Sequence, residues 1–169
     1  MTSRLPLLAY LIAALVVILD QGSKLFVLQH LHLTPGYPIS VLSFFNLNLT
    51  SNTGVSYGLF RDGPSITRWL LAAFSAGVAV ALIIWVRNAT KLLTVLGVGL
   101  IIGGAIGNLI DRVRLGAVVD FLDFSGLHFP WIFNGADSAI TVGVILFLIE
   151  LVLTPDAKPA GPNRDDHAV

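Results

Sequence analysis

Four stretches of this sequence, roughly residues 5 to 28, 65 to 86, 91 to 110 and 134 to 153, are apolar almost from end to end. Each matches the thickness of a bilayer, whose core of about 30 Å takes about 20 mainly apolar residues at about 1.5 Å of helical rise apiece. Only a helix or a closed barrel satisfies its backbone in lipid, and runs of this length without period-two alternation predict helices. The fold class expected is therefore an α-helical integral membrane protein with four transmembrane helices. At 55% hydrophobic and 12% charged residues, the chain lies far outside the balance of soluble domains. Ten basic and ten acidic residues cancel, so nothing in the balance asks for a nucleic-acid partner. Cysteine is absent, which excludes disulfides, thiolate metal sites and a Cys nucleophile.

The first span follows Arg4 like a signal peptide, but "DQGSK" comes after it instead of a small-residue cleavage site, so it reads as retained. The second and third flank the short polar loop "RNAT" as a hairpin. The fourth must absorb Asp137 at one end or Glu150 at the other to reach spanning length, which places Asp137 near a membrane boundary. Four spans put both termini on one side. Lys and Arg do not say which, because Arg4, Arg87, Lys91, Lys158 and Arg164 balance Lys24, Arg61, Arg68, Arg112 and Arg114. Between the first two spans, "FNLNLTSN" alternates apolar and polar residues as a half-buried strand does. "GVSYGLF" is expected to return as a second strand after a turn at Asn52 to Gly54, giving a small β-sheet platform on the membrane surface. Residues 1–153 then form a single membrane-embedded domain, and 154–169, rich in Pro and charge, a disordered tail.

Polar side chains gather at one end of these spans. Gly99, Gly103 and Gly107 recur every four residues, a ridge that lets another helix come close, and the same face continues into Asn108, Asp111 and Arg112. Asp20 and Lys24 stand four apart in the order that favours an ion pair, either as a structural pair or in support of a site. Asp111 and Arg112 are either solvated at a helix end or, in the case of Arg112, placed to orient a carboxylate by a bidentate contact. Asp62, Asp123 and Glu150 read as ordinary loop or helix-end charges. Asp120 is different: within "AVVDFLDF" it loses hydration and gains nothing structural. Asp137 follows "FNGA" at a helix start, where capping the free amides would explain it by itself. Together, at one membrane level beside Asn108, Arg112 and Asn134, Asp120 and Asp137 suit an aspartic-protease dyad. Two close carboxylates share one proton; the ionised one draws a proton from an attacking water and the other protonates the carbonyl oxygen.

Other chemistries fit less well. His30, His32, His128 and His167 make no i, i+4 helical pair and no HExxH, so no metal ligands and no cofactor are expected. Among the serines, Ser56 and Ser138 included, no Ser/His/Asp order stands out. A small proton-coupled transporter would use membrane carboxylates as a relay, but would spread them through the bilayer depth instead of collecting them at one end. A non-enzymatic membrane adaptor would need none of them.

"DQGSK" (20 to 24), "NTGVSYGLF" (52 to 60), "GGAIGNLIDR" (103 to 112), "VVDF" (118 to 121) and "FNGADSAI" (133 to 140) resemble, in order and spacing, the motifs of the bacterial lipoprotein, or type II, signal peptidases. The resemblance covers the chain except its tail. It implies an aspartic endopeptidase of the bacterial inner membrane, with both termini cytoplasmic and the active site near the periplasmic face. Its substrates would be prolipoproteins carrying a diacylglyceryl group on a cysteine, cut just before that cysteine. Asp120 and Asp137 correspond to the catalytic pair, and Asp20, Lys24, Asn52, Gly54, Asn108, Arg112 and Asn134 to the residues around it. The resemblance further implies a monomer in contact with membrane lipid, without cofactor, and inhibition by the cyclic peptide globomycin. Ser56 and Tyr57 depart from the Gly-Ala-Ala-Phe-like run usual at that position.

Overall fold

The computed structural model describes residues 5–54 and 64–153. Its elements are α1 (Leu5–Gln29), β1 (Ile39–Leu42), β2 (Phe45–Asn52), α2 (Pro64–Trp85), α3 (Leu92–Leu115), β3 (Val118–Asp123), β4 (Ile132–Phe133) and α4 (Gly135–Leu153). All four helices are long and apolar enough to cross a membrane. The returning strand expected at "GVSYGLF", the departure at Ser56 and Tyr57, and the tail from 154 onward lie outside the described residues.

The helix α3 is the axis of the bundle: α1, α2 and α4 all pack on it, whereas α2 and α4 scarcely meet. Glycine makes this possible. A Cβ added at Gly99 would stand 2.7 Å from the carbonyl oxygen of Ala9, and one at Gly103 2.8 Å from that of Ala13, so the ridge read from the sequence receives α1. Gly97 and Gly104 do the same for α4, where Gly97 faces Gly143 and Gly104 faces the Ala136 carbonyl. Ala9, Ala13, Val86, Val95, Val98 and Ile102 form the buried apolar core at the other end. Bulky residues such as Leu15, Ile18, Leu70, Phe74 and Leu148 point outward, as expected where lipid is the solvent.

The third helix is longer than the span read from the sequence, which ended at 110. Charges at Asp111, Arg112 and Arg114 end the apolar run but not the helix, which continues until Gly116 turns it in the left-handed region (φ 87°). Arg68 of α2 closes that end. Its Nε donates to the Arg112 carbonyl at 2.6 Å and its Nη2 to the Val113 carbonyl at 2.7 Å.

The four strands make one antiparallel sheet in the order β1-β2-β3-β4. Thus β2, where the sequence placed it, pairs with β1 and, through an irregularity between Leu47 and Thr50, with β3. Along β3 the side chains alternate. Val119 and Phe121 pack on Val27 and Leu33, so Asp120 is turned to the opposite face, toward the ends of α3 and α4. Asp123 is no loop charge: it ends β3, buried, with its carboxylate accepting from Asn48 at 3.1 Å and from the Ser125 amide at 2.8 Å. The Ser125 amide holds the Asp123 carboxyl below the usual carboxylate range.

Candidate active site

The start of α4 organises the site. Asn134 caps the helix: its Oδ1 accepts from the Asp137 amide at 3.0 Å, and Asp137 Oδ2 accepts in return from the Asn134 amide at 3.3 Å. This reciprocal box satisfies donors that a helix N-terminus otherwise leaves open. With its oxygen committed, the Asn134 side chain presents Nδ2 outward from the box, donating to Asp120 Oδ1 at 2.6 Å and to Asn108 Oδ1 at 3.3 Å. Asn134 is fully buried, and it holds both aspartates, one by its side chain and one by its backbone.

Asn108 repeats the logic from α3. Its Nδ2 donates to Asp137 Oδ1 at 2.8 Å, while its Oδ1 faces Asn134 and, at 3.5 Å, Lys24 Nζ. Asn52, at the end of β2, completes the set by donating from Nδ2 to Asp120 Oδ2 at 3.0 Å. Gly54 decides which way Asn52 points: its amide donates to Asn52 Oδ1 at 2.8 Å, leaving the NH₂ group for the carboxylate. The role needs glycine, since φ is +79° at Gly54 and an added Cβ would run into Leu71. Each of the four carboxylate oxygens thus takes one neutral amide donor, a geometry that fixes direction without neutralising charge.

The two carboxylates differ in environment. Asp120 is 1% exposed, and burial, with a smaller push from the neighbouring Asp137 charge, raises its pKa to about 6 against the lowering effect of the Asn52 and Asn134 hydrogen bonds. Asp137 is only half-buried and sits in the first turn of α4, where the helix N-terminus favours a negative charge. A carboxyl suited to keep a proton, held beside a second carboxyl, is what water activation at a carbonyl requires.

The remaining residues named from the sequence fall into two groups. Asp20 and Lys24 are an ion pair of 2.8 Å, both buried, one layer below Asp120 and Asp137. Arg112 is half-buried, and its Nη1 donates to the Asn108 carbonyl at 3.3 Å. The bidentate contact to a carboxylate is not formed among the described residues; Arg112 meets Asp137 and Asp120 only through its field, because its side chain folds back along its own helix. Asp111 is not a solvated helix end: it is 2% exposed, and its Oδ2 lies 2.7 Å from Lys24 Nζ. Gln21 was missed altogether, although it lies inside "DQGSK" and bridges Asp20 and Asp111.

Comparison with known proteins gives a consistent result. A family model described as signal peptidase (SPase) II matches residues 12–153. A lipoprotein signal peptidase of Caulobacter vibrioides is 51% identical over 152 residues, covering 89% of this chain and 90% of that protein. One from Coxiella burnetii is 41% identical over 151 residues, covering 87% and 91%. A solved structure described as a bacterial membrane enzyme superposes with a TM-score of 0.76 at 31% identity, covering 92% of this chain and 94% of its own.

Proposed function

The chain belongs to the signal peptidase II family, and we propose that Asp120 and Asp137 are the dyad with which it removes signal peptides from prolipoproteins. The observation that carries the proposal is Asn134, one buried residue that hydrogen-bonds both carboxylates and so keeps them at one place. Water bound between them loses a proton to ionised Asp137 as its oxygen attacks the scissile carbonyl carbon. Protonated Asp120 gives its proton to the carbonyl oxygen, and a neutral gem-diol results. On collapse, the nitrogen leaves with the proton held by Asp137, and a diol hydroxyl returns a proton to Asp120 as the new carboxyl forms. Both aspartates end as they began.

The bundle suits a substrate that is itself a membrane segment. Since α2 and α4 pack on α3 but scarcely on each other, a signal helix has a lateral approach between them, with its end delivered to the level of the dyad. The substrate is a prolipoprotein whose cysteine already carries diacylglycerol, cut just before that cysteine; the lipid chains remain in the bilayer while the peptide bond reaches the carboxylates at its rim. The protein works as a monomer in the bacterial inner membrane, termini in the cytoplasm and sheet on the periplasmic side, and globomycin competes for the dyad. A transporter reading finds no support, because the described polar network sits at one end of the helices and does not cross them.

Purified protein in detergent is expected to cleave a diacylglyceryl-modified prolipoprotein and leave the unlipidated form intact. Asp120→Asn and Asp137→Asn are expected to abolish turnover while the protein remains folded; wild-type rates in either variant would overturn the assignment.

A further inference from the structure

Below the dyad lies a second set of charges that the chemistry above does not use. Lys24 Nζ stands 2.8 Å from Asp20 Oδ2 and 2.7 Å from Asp111 Oδ2, with all three side chains at most 3% exposed. Gln21 spans the same two acids, its Nε2 donating to Asp20 Oδ2 at 3.1 Å and to Asp111 Oδ1 at 2.9 Å, with the Gly107 carbonyl at 3.2 Å. Each acid also accepts one backbone amide. Asp20 Oδ1 takes that of Ala136, the residue before Asp137, at 3.0 Å. Asp111 Oδ2 takes that of Val119, the residue before Asp120, at 3.1 Å.

We infer that Gln21 and Asp111, with Asp20 and Lys24, are positioning residues for the hydrolysis: a buried clamp that fixes the distance between the two catalytic carboxylates through the backbone amide beside each. The inference rests on the dyad reading and adds residues to it. No reacting atom touches the clamp. Every oxygen of Asp20 and Asp111 is already engaged, so neither is free to act on a substrate. Stability alone is a poor explanation, because a buried ion cluster holds a fold no better than apolar packing of the same volume, and often worse. What apolar packing lacks is direction. Here β3 and the start of α4, which arrive from different parts of the chain, are each joined by an acceptor to one cation and one amide on α1. Two carboxylates around one lysine also leave a net negative charge of one, and Gln21 supplies the additional donor that keeps the two acids together.

The test is steady-state cleavage of a lipidated prolipoprotein by the full-length protein in detergent, with kcat expressed per folded molecule and the melting temperature measured alongside. A misplacement on the order of 1 Å costs about a hundredfold in rate, so Gln21→Leu and Asp111→Asn are expected to lower kcat by about tenfold to a hundredfold with KM unchanged. Lys24→Met, which leaves two facing acids without a cation, is expected to be worse. Adding Asp111→Asn to Lys24→Met returns the cluster to its original net charge and is expected to recover part of kcat. A purely structural role predicts a lower melting temperature without that recovery. Gln21→Leu changes no charge, so it carries the test if the Asp111 variant does not fold. Wild-type kcat in Gln21→Leu, or a double variant no faster than Lys24→Met, overturns the inference. Lys91→Ala, at the opposite end of the helices, serves as the control with unchanged rates. Inactive Asp120→Asn and Asp137→Asn show in the same assay that the dyad stands, so that a failure here belongs to the clamp.

Discussion

Asn52 offers the sharpest test of the division of labour between the two aspartates. Its Nδ2 donates to Asp120 Oδ2 at 3.0 Å and has no contact with Asp137. That hydrogen bond stabilises the ionised form of Asp120, opposing the burial that lifts its pKa to about 6. Taking the donor away in Asn52→Ala disfavours the carboxylate, so Asp120 holds its proton to higher pH. A hydrogen bond to a charged group contributes about 1.5 to 3 kcal/mol, or roughly one to two pH units at about 1.4 kcal/mol each. Asn52 is exposed, so water replaces part of the lost bond and the lower bound applies. The expected shift is about one unit upward, taking the limb from about 6 to about 7.

The assay is the pH dependence of kcat/KM, which reports the free enzyme. If protonated Asp120 is the general acid, activity falls as pH rises through its pKa, and in Asn52→Ala that alkaline limb moves up while the acid limb stays in place. The maximum rate falls as well, because Asp120 is then held by Asn134 alone. An alkaline limb that stays put or moves downward refutes the assignment of Asp120 as the acid. A moving acid limb would mean that the roles are reversed.

Three further outcomes follow from the geometry. The folded pKa of Asp120 lies above its ordinary value of 3.8, so its contribution to stability is present below about pH 4 and is lost as pH rises through about 6; Asp120→Asn is therefore expected to raise the melting temperature at pH 8 relative to wild type and to leave it little changed at pH 3.5. Gly104→Val drives a branched side chain into the Ala136 carbonyl and Ile140, and overpacking of this kind costs about 1 to 3 kcal/mol or more, seen as a reduced yield of folded protein and a lower melting temperature. Arg68→Met removes two charge-assisted hydrogen bonds from the end of α3 and is expected to cost roughly 1 to 3 kcal/mol in thermal or denaturant unfolding, without moving either limb of the pH profile.

The parts of the fold that were legible in the sequence are those that rest on one-dimensional pattern. Four apolar runs gave four helices because lipid imposes a length. Gly99, Gly103 and Gly107 announced a helix contact because a ridge without side chains has no other structural use, and α1 fills it. The alternation in "FNLNLTSN" gave β2, but its neighbours could not be read: β3 lies some seventy residues away along the chain, and no local signal encodes that pairing. Asp111 and Asp123 were misread for a related reason. A carboxylate near a loop is usually hydrated, and only the fold reveals that Asp111 meets Lys24, eighty-seven positions distant, or that Asp123 ends a buried strand. Gln21 had no signal of its own, since an uncharged polar residue beside Asp20 looks like the edge of an ion pair until both acids it bridges are in view.

For Asp137, capping does not exclude the catalytic role proposed above. The side chain does cap α4, through the reciprocal box with Asn134, yet that box uses only Oδ2 of Asp137 and Oδ1 of Asn134. A cap formed by an ordinary pair would stop there. Here the second oxygen of Asp137 turns to Asn108, and the leftover amide of Asn134 turns to Asp120, so the requirement of every helix N-terminus for acceptors is what orients the dyad. The same economy recurs at Asn52, whose turn with Gly54 aims its NH₂ group at Asp120, and at Asp20, whose acceptance of the Ala136 amide serves the same helix end. Local backbone rules that are legible in sequence thus set the direction of each group, and the buried contacts between distant segments set their distance. A motif can therefore name residues that the fold gathers in one place while leaving the reason for their precision to the three-dimensional structure.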